Sequence, residues 1–235
     1  EPEPEPTDPS IFTITDGAPI VKDIVGAIGS SSGATSLSSL GLTSQNLQTA
    51  YLGENVTEIG NNAFMYDSNL ESVTIGNNVT RIGNNAFQNC ISLTEITIPN
   101  SVTRIGRYIF NGCSGLTSIT FEETSKVTEI WEGAFYNCSS LTSTDIPSGV
   151  TKIWKNTFSG CSNLISVSIP DSVTEIGENA FFQCTNLTSI SIPNSVTSVG
   201  EKSFENCSNL TEITLSNSVT SIDNKTFEGC SSLES

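Results

Sequence analysis

Residues 86–105 read AFQNCISLTEITIPNSVTRI, and the organisation of the whole chain follows from them. Leu93, Ile96 and Ile98 fit the pattern L-x-x-I-x-I. Ile96 and Ile98 alternate with Glu95 and Thr97, the period of a strand with one buried face. Pro99 has no N–H to give a ladder and ends that strand. Val102 and Ile105 begin a return path. Ala86, Phe87 and Cys90 have the spacing of one helical turn, so the unit G-x-x-A-F-x-x-C predicts such a turn.

The unit recurs along the chain. Phe stands at Phe64, Phe87, Phe110, Phe135, Phe158, Phe181, Phe204 and Phe227, at intervals of 23 residues except for one of 25. Three residues after each comes Cys: Cys90, Cys113, Cys138, Cys161, Cys184, Cys207 and Cys230, with Asp67 in the first copy. Six residues after each Phe comes Leu, from Leu70 to Leu233. One copy cannot bury its own apolar face, so copies must stack into a solenoid. Strands stacked ~4.8 Å apart give a parallel sheet roughly 40 Å long. The expected fold class is a β-rich α/β repeat solenoid, with the sheet on one side and short strands and helical turns on the return.

The run L-x-x-I-x-I-P-x-S-V-T-x-I-G-x-x-A-F-x-x-C resembles the leucine-rich repeat of the BspA-like class, over about residues 47–233. Asn55 and Asn78 hold the position eight after the first Leu, and Ser101, Ser172, Ser195 and Ser218 replace Asn there, as is common in this class. The resemblance implies a curved right-handed solenoid with its parallel sheet concave. It implies adhesion or protein binding on a bacterial or protist cell surface, and no enzymatic activity.

The ends differ from the repeat. Residues 1–10, Glu-Pro-Glu-Pro-Glu-Pro-Thr-Asp-Pro-Ser, are read as an extended acidic spacer. Residues 11–46 are read as an N-terminal cap, with Ile20, Ile24, Val25 and Ile28 at helical spacing behind Pro19. Residues 47–235 make about eight repeats, and the last lacks the strand that a C-terminal cap would cover. That is the pattern expected of a fragment of a longer protein. The absent initial Met fits an extracellular or cell-surface chain whose leader was removed, with a lipid anchor as one means of attachment.

Composition excludes several functions. Of 235 residues, 36% are hydrophobic and 14% charged, and none is His. Without His there is no Ser-His-Asp or Cys-His catalysis and no His-ligated metal. No catalytic, cofactor or metal residues are expected. The net charge of −16 argues against nucleic acid and anionic membrane, and no run of 18 apolar residues predicts a transmembrane segment. The low apolar fraction suits a thin solenoid core that takes about eight positions per 23-residue coil. The cysteines form a ladder beside the Phe column. Parallel side chains and an odd number predict reduced thiols rather than disulfides.

Charges and aromatics mark candidate surfaces. Six before each Phe stand Glu58, Arg81, Arg104, Glu129, Lys152 and Glu175, which should pair across coils except where Arg81 meets Arg104. The exposed sheet face is Ser- and Thr-rich, with Asp145 breaking one column. In mid-chain a two-residue insertion falls within residues 122–126, and the Gly four before Phe becomes Trp131 and Trp154. Tyr108, Arg107 and Tyr136 lie in the same coils. Rigid aromatics with polar tips suit interface anchors or sugar platforms, and two stacked Trp also serve to shield backbone. The expected function is non-enzymatic binding of a host or neighbouring-cell protein. A carbohydrate-binding module and a passive spacer stand as alternatives, and oligomeric state is open.

Overall fold

The structure, a computed structural model, describes residues 48–52 and 56–233. The spacer and the cap over residues 11–46 lie outside the described residues. Each coil carries one longer strand and one two-residue strand. The longer strands are β1 (Thr49–Leu52), β3 (Ser72–Ile75), β5 (Glu95–Ile98), β7 (Ser118–Phe121), β9 (Ser143–Asp145), β11 (Ser166–Ser168), β13 (Ser189–Ser191) and β15 (Glu212–Thr214). The short ones are β2 (Glu58–Ile59), β4 (Arg81–Ile82), β6 (Arg104–Ile105), β8 (Glu129–Ile130), β10 (Lys152–Ile153), β12 (Glu175–Ile176) and β14 (Ser198–Val199). All pairings are parallel and each residue meets its counterpart one coil on, as Ile96 meets Ile119. The chain is thus a parallel β-solenoid, with about seven turns between β1 and β15.

The register buries what the repeat predicts. In β5 exposure alternates, with Ile96 and Ile98 inside and Glu95 and Thr97 outside. The Phe rings stack along the axis with centroids 5.1–6.0 Å apart, the widest gap being Phe110–Phe135, where the coil is 25 residues long. Leu93, Val102 and Ile105 complete each layer of the core.

The expected helical turn is not there. No helix occurs among the described residues, so the α/β class is corrected to a β-solenoid. G-x-x-A-F-x-x-C folds instead as consecutive β-turns. Phe87 is flanked by Asn85 (φ 54°) and Asn89 (φ 59°), Phe158 by Asn156 (φ 58°) and Gly160 (φ 77°), and every other Phe of the ladder likewise. Left-handed residues two positions either side of Phe forbid a right-handed helix. Eleven of these sixteen positions are Asn or Gly, the residues that adopt that conformation most readily. The amides then alternate in use. Met65 N–H closes a turn on Asn62 O (3.2 Å), while Phe64 N–H reaches Ala86 O of the next coil (2.7 Å). A helix would spend all of them internally and leave the coils unconnected along this edge.

The cysteine slot has a specific task. Each thiol donates to the carbonyl of the Phe one coil back, from Cys90 to Phe64 through Cys230 to Phe204, at 2.9–3.2 Å. All seven thiols are free, and all but Cys230 are buried. The sheets are also less continuous than the repeat suggests. The longer strands pair as β1–β3, β5 to β11 and β13–β15, and the short strands as β2 to β8 and β10 to β14.

Candidate binding surface

The second ladder opens between β8 and β10, where Trp131 and Trp154 follow the two strands. Glycine normally holds that position because the preceding coil presses against it. A Cβ on Gly106 would meet Gly83 C at 2.5 Å, and one on Gly177 would meet Lys155 N at 2.7 Å. Gly106 N–H reaches Ile82 O at 2.9 Å; the equivalent bond from Trp131 to Ile105 lengthens to 3.2 Å. Trp154 makes no such bond among the described residues. A side chain at this position therefore loosens the backbone ladder.

The two indoles stack across the loosened junction, with centroids 4.9 Å apart and planes at 23°. Their outer faces carry cations. Arg107 Cζ lies 5.5 Å from the Trp131 centroid and Lys152 Nζ 4.3 Å from that of Trp154. Trp131 Nε1–H donates to Glu129 Oε2 (3.2 Å), which also accepts from Arg104 Nε (2.5 Å). The cross-coil pairs Glu58–Arg81 (2.8 Å), Lys152–Glu175 (2.7 Å) and Lys155–Glu178 (2.9 Å) form as the 23-residue spacing predicts. All are at least partly solvated, so each contributes ~0–1 kcal/mol.

Tyr108 adjoins this cluster. Its hydroxyl donates to Glu132 Oε1 (2.9 Å), and burial and that bond together hold its phenol above the usual range. Its backbone is left-handed (φ 51°), an uncommon state for an aromatic residue. The ring lies over Gly133, where a Cβ would come 2.2 Å from Tyr108 Cε1. Arg107, Trp131 and Trp154 are thus linked through contacts on adjacent coils, and Tyr108 reaches Glu132 and Gly133 beside Trp131. Tyr136 is half-buried on the turn column, where its carbonyl accepts from Gly112 N–H (2.8 Å). Asp145 belongs to another face. It ends β9 in a groove of about 440 Å³ over β7, β9 and β11. Beside it Thr144, 6% exposed, replaces the usual Ile or Val, and its hydroxyl has no partner among the described residues.

A second groove, of about 240 Å³, was not foreseen from the repeat. It is lined by Arg81, Asn84, Arg104, Gly106, Arg107 and Trp131. The sequence did hold a signal for it, because these three arginines are all that the chain contains.

Stacked parallel coils with a 23-residue L-x-x-I-x-I unit define a leucine-rich-repeat solenoid. The BspA type leucine rich repeat region, in six copies, matches residues 35–165 and 151–235. The chain belongs to that family. No curated protein matches it. Among solved structures it is similar to the T. pallidum leucine rich repeat protein TpLRR, at 30% identity and TM-score 0.56 over 60% of this chain and 65% of that one. The chain therefore spans less than two thirds of TpLRR. It also matches a leucine-rich repeat protein from Eubacterium ventriosum, at 27% identity and TM-score 0.47, over 80% of this chain and 59% of that one. A leucine rich cell surface protein from Faecalibacterium prausnitzii matches at 25% identity and TM-score 0.35, over 80% of this chain and 78% of that one. No helix among the described residues is long and apolar enough to cross a membrane.

Proposed function

We propose that the chain is a non-enzymatic, adhesin-like binding module of an extracellular or cell-surface protein. In this reading it engages a protein partner through the wall built by Arg107, Tyr108, Trp131 and Trp154. The observation that carries the reading is the linked cluster itself. Two half-buried Trp, a left-handed Tyr and an Arg on adjacent coils have the composition of interface anchors. Asp145 and Tyr136 extend the candidate surface, the first along the strand face, which a right-handed solenoid would present as its concave side. Membership of the BspA-type family supports a surface location.

The geometry weighs against a sugar platform on the Trp pair. Face-on stacking of a sugar ring needs a free indole face, whereas Trp154 and Trp131 cover each other and cations cover the outer faces. A passive spacer has no use for the cluster. The test is binding of wild type and the double variant Trp131→Ala/Trp154→Ala to an array of purified extracellular proteins. The reading expects the variant to lose its partner while its thermal unfolding changes little. A large fall in unfolding temperature with undiminished binding would make the pair a backbone shield.

A further inference from the structure

The 240 Å³ groove gathers every arginine of a chain whose net charge is −16. Arg81 and Arg104 face each other in register on β4 and β6. Elsewhere on that column opposite charges meet, as in Glu58–Arg81, Arg104–Glu129 and Lys152–Glu175. Like charges directly opposed on paired strands are unfavourable; Glu58 and Glu129 offset these two from the outer sides only, so an anion between the arginines would offset the rest. The donors for it are available. Arg81 holds Glu58 through Nη1, and Arg104 holds Glu129 through Nε. Arg107 has no ion pair among the described residues. Asn84 already accepts from Arg107 N–H through Oδ1 (2.8 Å), which turns its amide nitrogen to service as a donor. Gly106 and Trp131 also line the groove.

We propose that this groove binds one sugar ring bearing a single carboxylate. The carboxylate lies between the Arg81 and Arg104 guanidinium groups, within reach of Arg107, and the ring rests against the edge of Trp131. Planar guanidinium groups match a carboxylate in bidentate geometry. The groove's size, below the ~300 Å³ of the smallest drug-sized pockets, suits a single ring. An acidic peptide side chain would bring the carboxylate and leave both the indole edge and the Asn84 amide unused. A densely charged polyanion meets the repulsion of the surrounding acidic surface within the ~8 Å reach of charges at physiological salt. A singly acidic sugar escapes most of it. This goes beyond the protein-binding reading, which the double-Trp comparison tests separately.

The experiment is titration of the chain, followed by intrinsic Trp fluorescence and calorimetry, with four probes. These are a neutral oligosaccharide, the same oligosaccharide ending in one carboxylated sugar, a polysulfated polysaccharide and a Glu-rich peptide. The proposal expects binding of the singly carboxylated probe alone, weakening with added salt. Arg107→Gln, which breaks no ion pair, should lower its affinity about tenfold or more with thermal unfolding unchanged. Arg104→Gln should also lower the affinity as a second variant, with its thermal unfolding read beside wild type because it gives up the Glu129 pair. Equal binding of the neutral sugar would overturn the proposal, as would preference for the polyanion or the peptide, an Arg107→Gln affinity equal to wild type, or no binding of any probe.

Discussion

Asp67 shows how much one residue in a repeated slot can carry. It stands where the seven following coils place a thiol, is 2% exposed, and its Oδ2 has no hydrogen-bond partner among the described residues. Burial raises its carboxyl from 3.8 to about 7, and the Cys90 thiol is the titratable group beside it. Between those pH values the native state keeps a proton that the unfolded chain releases. The stability that depends on this proton is therefore fully present below pH 3.8, declines as pH rises, and is lost above about 7. Asp67→Asn should remove this slope relative to wild type. At pH 8 it should be the more stable form by on the order of a few kcal/mol, as read by thermal unfolding at pH 4, 6 and 8. The thiols make a second prediction at this scale. Burial lifts the Cys161 thiol to about 12 and holds those of Cys138 and Cys184 well above the usual range. Because Cys230 is the one half-buried thiol of the seven, a thiol reagent at pH 8 should modify it first in the native protein. All seven should react after denaturation. Fewer than seven would mean that disulfides form.

At the scale of the element, the turn column stands where the apolar spacing predicts a helical turn. Asn89 sits at φ 59°, where an L-residue other than Asn or Gly is strained. Asn89→Ala should destabilise by about 1–2 kcal/mol and Asn89→Gly by much less, as chemical denaturation would measure. Equal losses would mean that the left-handed turn is not what Asn89 supplies. The same column explains what the sequence did and did not disclose. The burial of Phe87, Cys90, Leu93 and Ile96 was readable because inside and outside alternate in every copy. The apolar spacing of Ala86, Phe87 and Cys90 is shared by a helical turn and by consecutive β-turns. Only the Asn and Gly two residues from each Phe tell them apart. The cross-coil ion pairs were readable because the repeat length sets the register. The arginine groove was not, because its space depends on how side chains from neighbouring coils pack together.

At the scale of the molecule, a solenoid is held by nearest-neighbour contacts, so its weakest junction decides where it opens. The inserted coil spreads the Phe stack to 6.0 Å, pairs β7 with β9 through Ser118–Ser143 alone, and precedes the break between β8 and β10. Backbone amides near Trp131 and Trp154 should exchange with solvent faster than those of β4 and β6. Uniform exchange along the short strands would show that the Trp stack fully replaces the lost ladder. Placing the anchors at this junction sets large aromatic side chains where five other coils have glycine, and it is this coincidence that makes the wall a candidate surface. The most direct test of the binding account is hydrogen exchange of the chain with and without a ligand returned by the protein array. The account predicts that protection gained on binding concentrates in residues 104–108, 129–136 and 152–155. Protection confined to β7, β9 and β11 around Asp145, with those segments unchanged, would contradict it.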